Sequence, residues 1–193
     1  MITYVKGKLA EKTPTHCIIE TQGIGYFINI SLNTYSELPN DELVKLYTHF
    51  YVREDNQALY GFSSKKEREV FRQLISVSGI GVSTAMVMLS SMTSDEIQKA
   101  IASGNVALIK QIKGIGAKTA QRVIVDLQDK ILKTLDVDAF SPEMDNSMRE
   151  ESLSALDVLG FSRKQTERVI DNILKEQPSL DVESLIKQAL KNL

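Results

Sequence analysis

The chain has 193 residues, of which 42% are hydrophobic, and its formal net charge at pH 7 is −2. No apolar run approaches the roughly 20 residues of a membrane helix, and the N-terminus lacks the layout of a signal peptide. A single cysteine, Cys17, excludes a disulfide framework. We therefore expect a cytoplasmic protein that does not bind membranes, and with only two histidines we expect neither a metal nor a cofactor.

Charge is distributed unevenly along the chain. Residues 1–63 contain five Lys and Arg against seven Asp and Glu, residues 64–133 eleven against six, and residues 134–193 seven against twelve. The central third is thus basic although the whole chain is slightly acidic. A basic segment of this kind favours a nucleic-acid partner, with an ordinary solvated surface as the alternative.

Residues 1–63 are predicted to form a small β-barrel. Turn sequences, among them Gln22-Gly23-Ile24-Gly25, separate short apolar runs at residues 2–5, 17–21, 26–30, 43–52 and 58–62. In the fourth run Leu46, Thr48 and Phe50 alternate with Tyr47, His49 and Tyr51, as a half-buried strand requires. Five short strands in about 60 residues favour the oligonucleotide/oligosaccharide-binding (OB) barrel.

Two adjacent acids, Glu54 and Asp55, follow the fourth run. Such a pair could serve a metal-dependent nuclease, although no third ligand is evident nearby. It could also be an ordinary solvated hairpin tip. A third interpretation is that carboxylates at a protruding tip repel phosphates and keep DNA strands apart. The residues alone leave these three interpretations open.

Residues 64–134 are predicted to form an all-α domain, because the hydrophobic period changes to a helical one at Ser64. Ser64 is a plausible N-cap, and Glu67 three residues later completes a capping-box pattern. Further helices are predicted at about 82–90, 94–102, 105–111 and 117–132.

One segment of this domain occurs twice, 35 positions apart. Val77-Ser78-Gly79-Ile80-Gly81-Val82-Ser83-Thr84-Ala85 returns as Ile112-Lys113-Gly114-Ile115-Gly116-Ala117-Lys118-Thr119-Ala120. Glycine permits a tight turn and close approach of another backbone. The amides that begin the following helix have no intrahelical acceptor, so each copy is predicted to hold a phosphate. Neither copy has the glycines of a nucleotide-binding P-loop or a dinucleotide fingerprint, which excludes an ATP site.

The last third is predicted to consist of a linker and a small helical unit. Residues 135–148 lose periodicity and gain Asp, Pro and Ser, which indicates a flexible acidic linker. Residues 149–193 are predicted to form three helices, with Gly160 ending the first and Ser162 capping the second with Gln165 at the capping-box position. An acidic surface on this unit favours a protein partner over DNA.

Taken together, these motifs resemble the RuvA family, the DNA-binding subunits of the bacterial Holliday junction branch migration complex. The resemblance depends on Arg53-Glu54-Asp55, on Tyr60-Gly61-Phe62, on both Gly-Ile-Gly turns and on the order of the three parts, and it covers essentially the whole chain. It implies an α+β multidomain fold with an N-terminal OB barrel, two central helix-hairpin-helix motifs and a C-terminal three-helix, UBA-like domain.

The resemblance also implies roles for particular residues. Glu54 and Asp55 match the family's acidic pin, which separates strands at the crossover, and no residue is catalytic. The positions expected to contact DNA are Arg53, Gly79, Gly81, Ser83, Thr84, Gly114, Gly116, Lys118, Thr119 and Arg122. The positions expected to contact the hexameric ATPase motor RuvB are Leu156, Leu159, Gly160 and Phe161. A homotetramer on Holliday junction DNA, joined by the resolvase RuvC in a larger complex, is the implied assembly.

Two positions depart from the family pattern. Ser83 in the first hairpin and Ala117 in the second stand where relatives often have lysine. Phosphate contacts there would depend on backbone amides and hydroxyls, which predicts a weaker salt dependence. Two other interpretations remain: a helix-hairpin-helix nuclease or glycosylase, for which Asp126 and Asp129 are the nearest acids, and a protein-interaction module whose hairpins are packing turns only.

Overall fold

The structure is a computed structural model that describes residues 1–40, 42–54, 56–139, 145–177 and 180–193. For residues 133–139 and 145–147 it describes the backbone but not the side chains. It contains two compact units, Met1–Asp136 and Val137–Leu193, which we describe separately. None of the described helices is long and apolar enough to cross a membrane.

The first unit begins with a closed five-stranded barrel, which confirms the predicted OB fold. The strands are β1 (Tyr4–Lys12), β2 (His16–Thr21), β3 (Ile24–Ile30), β4 (Leu43–Val52) and β5 (Gln57–Phe62). They pair in the order β1-β2-β3-β5-β4, with β4 closing on β1 and only the β3–β5 pair parallel. Alternate residues fill the interior, among them Ile19, Ile28 and Leu46, all fully buried. Burial also raises the pKa of the Cys17 thiol to about 11, as expected for a core residue.

Two details of the barrel differ from the sequence prediction. The β2–β3 turn consists of Gln22 and Gly23 alone, with φ of 51° and 82°, and a two-residue turn of this kind matches the twist of its strands. Ile24 and Gly25 therefore belong to β3 and not to the turn. A short helix that was not predicted, α1 (Leu32–Glu37), connects β3 to β4, and the Ser31 hydroxyl accepts from the amide of Thr34 to cap it.

Five helices follow the barrel in the described part of this unit. They are α2 (Lys65–Ile75), α3 (Val82–Ser91), α4 (Ser94–Ala102), α5 (Val106–Lys110) and α6 (Ala117–Ala139). Their apolar faces share one core, to which Phe71, Met88, Ile101 and Leu127 contribute almost fully buried side chains. This confirms the all-α domain that the helical period predicted.

Glu67 joins the helices to the barrel, and its role differs from the predicted one. Ser64 caps α2 through the amide of Glu67 at 3.0 Å, but the Glu67 carboxylate turns toward the barrel and does not complete the capping box. It accepts from the hydroxyls of Ser31 at 2.7 Å and Thr34 at 2.8 Å, and from the amide and hydroxyl of Ser63, each at 3.2 Å. With 5% of its surface exposed, Glu67 is a buried carboxylate stabilised by several donors.

The second unit is a three-helix bundle of α7 (Asp145–Val158), α8 (Arg163–Glu176) and α9 (Val182–Asn192), as predicted. Gly160 ends α7 with φ of 94°. The amide of Phe161 donates to Leu156 O and that of Gly160 to Asp157 O, which is the Schellman pattern. Ser162 is the N-cap of α8, as predicted, but its side chain makes no capping hydrogen bond, so the predicted capping box with Gln165 does not form.

The predicted linker is partly helical. Helix α6 continues to Ala139 and α7 begins at Asp145, so the backbone of residues 135–139 and 145–148 is helical. Residues 140–144 lie outside the described residues. The flexibility of this segment stays a prediction.

Candidate nucleic-acid interface

The two Gly-Ile-Gly turns have the same backbone geometry. Gly79 and Gly114 have φ of 96° and 90°, a left-handed conformation that favours glycine. Ile80 N donates to Val77 O at 3.0 Å in the first turn, and Ile115 N donates to Ile112 O at 3.1 Å in the second. We call residues 77–81 hairpin 1 and residues 112–116 hairpin 2.

Each hairpin is held in place by its own apolar residues. The central Ile80 and Ile115 are each 5% exposed, so both side chains point into the helical core. Ala85 and Ala120, which follow in equivalent positions, are fully buried. The glycines themselves lie on the outside: a Cβ built on Gly81, Gly114 or Gly116 would meet no atom within 4 Å. Packing fixes the hairpin backbone while leaving its outer surface open to a ligand.

The helices that follow the hairpins begin without side-chain caps. Gly81 is the N-cap of α3 and makes no side-chain hydrogen bond, and Gly116 stands directly before α6. The first intrahelical bonds run from Ala85 N to Gly81 O and from Ala120 N to Gly116 O. The three amides before each of these donors point out of the helix, where the positive end of the helix dipole favours an anion.

The two hairpins lie close together at the start of α6. A Cβ on Gly79 would stand 3.9 Å from the Cγ2 and Oγ1 atoms of Thr119, and the Arg122 guanidinium donates to Ser78 O at 3.4 Å. A cleft of about 580 Å³ opens there. Its lining comes from hairpin 1 and from the first turns of α6: Ser78, Gly79, Lys118, Thr119, Gln121, Arg122, Val125 and Asp126.

Positive charge is concentrated around hairpin 2. Lys110, Lys113, Lys118 and Arg122 are all exposed, and in the described part of the chain no ion pair engages any of them. Hairpin 1 and the first turn of α3 contain no cation; their polar side chains are Ser78, Ser83 and Thr84. The site therefore combines two amide sites with one cluster of cations.

Other basic residues of the central third lie elsewhere. Lys65 and Arg68 stand over the ring of Tyr47 on the barrel, at 6.0 Å and 5.7 Å from its centroid, and Lys66 forms an ion pair with Asp95. Sequence position suggests that these residues belong with the hairpins. Helix α2 instead directs them to the barrel and to α4.

The β4–β5 hairpin carries the acidic pair. Arg53 and Asn56 close it through two backbone hydrogen bonds, Arg53 N to Asn56 O at 2.8 Å and Asn56 N to Arg53 O at 3.4 Å. Glu54 is exposed, and Asp55 lies outside the described residues. The exposed Arg53 guanidinium lies over the ring of Tyr51, 5.4 Å from its centroid. The described residues contain no group of three His, Cys, Asp or Glu side chains that could hold a metal.

In the second unit, the four positions expected to contact a motor differ in accessibility. Leu156 is fully buried in the bundle core, and Phe161 packs against that core. Leu159 is 58% exposed, and so is available to a partner, while Gly160 shapes the turn. Val158, which sequence reasoning did not select, is 86% exposed beside it. The sequence could have indicated Val158 only by its place as an apolar residue two positions before Gly160, which ends the helix.

Comparison with known proteins agrees with this architecture. The family description "RuvA N terminal domain" matches residues 1–61, "SAM-like Helix-hairpin-helix tandem" matches residues 71–129, and "RuvA, C-terminal domain" matches residues 147–193. A protein of Christiangramia forsetii named Holliday junction branch migration complex subunit RuvA is 56% identical over 193 residues, covering 100% of both chains.

The chain belongs to the RuvA family. RuvA proteins of Flavobacterium psychrophilum and Bacteroides fragilis, which have the same full name, are 52% and 46% identical, and each match covers both chains completely. The relatives are similar over all three parts of the chain. The hairpins and the acidic β4–β5 turn therefore belong to a whole RuvA architecture and not to a shared helix-hairpin-helix module alone.

Proposed function

We propose that this member of the RuvA family is a non-catalytic scaffold that binds four-way junction DNA by its shape. The observation that carries the proposal is the pair of equivalent hairpins, each followed by an uncapped helix, at a cleft with unpaired cations. Backbone amides and lysines contact phosphate and read no base, so the binding would be independent of sequence. The relatives are named as Holliday junction branch migration subunits, and this supports the junction as the ligand.

Selectivity for the junction would come from the β4–β5 hairpin. In the proposed homotetramer, four copies of Glu54 and Asp55 converge where the four arms meet, and the open centre of a junction accommodates them. Linear duplex would press its phosphates against these carboxylates, which is unfavourable. Hairpins 1 and 2 of each copy would hold the backbone of one arm. Attraction on the arms and repulsion at the centre together would select the junction and open its crossover.

Neutralising the acidic pair tests this arrangement. A variant with Glu54→Gln and Asp55→Asn should bind linear duplex several-fold more tightly at low salt, because the repulsion is removed, while its junction affinity changes less. Fluorescence anisotropy with a labelled duplex and a junction of equal arm length measures both dissociation constants. Duplex affinity identical to that of the unmodified protein would mean that these residues do not face DNA.

The second unit would recruit the ATPase motor RuvB, whose ATP hydrolysis then moves the arms during recombination and repair. Leu159 supplies the exposed apolar side chain for this contact. Leu159→Ser should reduce stimulation of RuvB ATPase activity without changing junction affinity. Leu43→Ser, on the barrel and 76% exposed, is the matched control and should leave stimulation intact. If Leu159→Ser stimulates RuvB as fully as the control does, Leu159 is not part of the contact. A larger assembly with RuvC belongs to the same proposal.

The enzymatic alternative is not favoured. A helix-hairpin-helix nuclease or glycosylase would need an acid or lysine beside the hairpins, and Asp126 does line the cleft with Lys118. The full-length similarity to RuvA proteins supports a scaffold instead. Incubating the protein alone with junction and duplex in Mg²⁺ tests the alternative, and cleavage or base release by the protein that Asp126→Asn abolishes would establish it.

A further inference from the structure

The outward side of strand β4 presents a row of basic and aromatic residues, and of these only Arg53 has been assigned a DNA contact so far. Inward residues of the strand, such as Val44, Leu46 and Thr48, are buried in the barrel. The alternate residues point outward and continue one position past the strand end. We call them the β4 row: Lys45, Tyr47, His49, Tyr51 and Arg53.

Cations lie over the two tyrosine rings of this row, whereas the His49 ring between them packs edge to face against Phe71 of α2, with centroids 5.4 Å apart. Lys45 Nζ is 5.0 Å from the centroid of Tyr47 and 4.5 Å from that of Tyr4 on β1. Arg53 covers Tyr51 at the other end, at 5.4 Å. Helix α2 borders the row and directs Lys65 and Arg68 to Tyr47. All three rings of the row keep part of their surface exposed.

The positive charge here is poorly compensated within the described part of the chain. No ion pair there involves Lys45 or Lys65, and the buried Nε of Arg68 has no hydrogen-bond partner. Burial, followed by the charges of Arg72 and Arg68, holds the pKa of His49 below its usual value. Burial and then Arg72 likewise lower the pKa of Arg68. Clustered cations that disfavour one another's charge would gain from an anionic ligand.

The row leads to the hairpin that carries Glu54. From Lys45 to Arg53 it extends about 26 Å at roughly 3.3 Å per residue. OB barrels bind roughly four or more nucleotides by combining a positive groove with rings on which bases stack. Tyr51 also contacts Tyr60 of β5 edge to face, with centroids 6.3 Å apart, so a second ring supports Tyr51 directly behind the hairpin.

We propose that the β4 row is a binding track for single-stranded DNA, which receives bases unpaired at the crossover. This inference rests on the proposed function, which supplies the unpaired strand. Three consecutive rings with a cation at each end favour a nucleic-acid strand over an acidic peptide, because a peptide would need the charges but not the rings. Lys45 and Arg53 would contact phosphates, and Tyr51 would stack on a base released beside the acidic hairpin.

The test is anisotropy with a labelled twelve-residue oligo-dT and the full-length protein at low salt. Tyr51→Leu should weaken binding roughly tenfold, since a base–aromatic stack is lost. Tyr51→Phe keeps the ring and should bind as the unmodified protein does. Lys45→Gln should lower the slope of log K against log salt by about 0.7, whereas Lys175→Gln, an exposed lysine of the second unit, should not. Thermal unfolding confirms that each variant is folded.

Two outcomes would overturn the track. One is unchanged oligo-dT affinity in Tyr51→Leu and Lys45→Gln. The other is a loss of affinity together with a change in mass by light scattering, which would make the row a contact between copies of the chain. Junction and duplex binding are measured in parallel, so the two proposals fail separately. If the protein prefers the junction but the row variants bind oligo-dT unchanged, only the track is contradicted. If the row variants lose oligo-dT affinity but the protein shows no preference for the junction, only the proposed function is contradicted.

Discussion

Hairpins 1 and 2 share a backbone but differ in charge. Both have a glycine with φ near +90°, a buried central isoleucine and a following helix that begins without a side-chain cap. Three of the four cations around hairpin 2 lie within it or after it: Lys113, Lys118 and Arg122. The equivalent positions around hairpin 1, which lie 35 residues earlier, are the uncharged Ser78, Ser83 and Val87.

This comparison separates two contributions to phosphate binding. Oriented amides and a helix dipole act over the first turn only, so both hairpins should position phosphate equally well. Free cations act over longer distances and release counterions from DNA. Hairpin 2 should therefore supply most of the salt-dependent attraction, and hairpin 1 should depend on geometry. Four sets of variants, in order of decreasing expected effect, test whether the two hairpins differ in this way.

The largest effect is expected at Glu67, because α2 leads from this residue into hairpin 1. Glu67→Ala leaves buried donors of Ser31, Thr34 and Ser63 without an acceptor, and we expect the free energy of unfolding to fall by about 3 kcal/mol. Hydrogen exchange should rise in hairpin 1 more than in hairpin 2. Urea unfolding measures the change. The exposed Glu69→Ala on the same helix is the control, and an equal loss there would contradict the assigned role of Glu67.

Replacing a positive-φ glycine by alanine should lower the free energy of unfolding by about 1 to 2 kcal/mol in either hairpin, since a Cβ is strained in that conformation. Gly79→Ala and Gly114→Ala should therefore lower the melting temperature by similar amounts. Gly81, with φ of −87°, should tolerate alanine in the fold but lose DNA affinity, because the added methyl lies where phosphate approaches. A clear difference between Gly79→Ala and Gly114→Ala would show that the hairpins are not equivalent.

Removing the cations of hairpin 2 should change the salt dependence. A Lys118→Ala, Arg122→Ala double variant should lower the slope of log K against log salt for duplex by up to about 1.8, at roughly 0.9 for each phosphate. The matched Ser83→Ala, Thr84→Ala variant should weaken binding slightly and leave the slope unchanged. Binding titrations between roughly 50 and 200 mM salt, a range over which such slopes are resolved, test both. Equal slopes in the two variants would contradict the division of roles.

The smallest effect is expected when a charge is added to hairpin 1. Ser83→Lys should strengthen duplex binding and steepen the salt slope by about 0.9 if the first turn of α3 faces a phosphate. Ser83 is exposed, so the fold should be unaffected. Lys added at the exposed Ser91, at the far end of α3, is the control. An unchanged slope in Ser83→Lys would place this turn away from DNA.

Sequence patterns predicted the regular parts of the molecule well. Alternation along β4 and the helical period after Ser64 gave the barrel and the central helices, and the doubled Gly-Ile-Gly gave both hairpins. These features depend on neighbours in sequence, so they can be found without coordinates. Helix α1 was missed because it is only six residues long, too short to show a helical period.

The remaining features depend on contacts between distant residues. Glu67 matched a capping box, yet its carboxylate binds donors more than thirty positions away, on Ser31 and Thr34. Lys65 and Arg68 lie in the basic central third of the chain, which also contains the hairpins, but the direction of α2 brings them to Tyr47. Arg122 could be selected as a basic residue close after the second turn, whereas the hydrogen bond from its guanidinium to Ser78 O of hairpin 1 could not. Tertiary packing decides each of these cases.

The most direct test of the account is equilibrium binding to a four-way junction and to linear duplex of equal length, both at about 150 mM salt, where exposed charges are screened beyond about 8 Å. We expect the junction to bind at least roughly tenfold more tightly, a difference of about 1.4 kcal/mol in binding free energy. Equal dissociation constants for the two DNAs would contradict it.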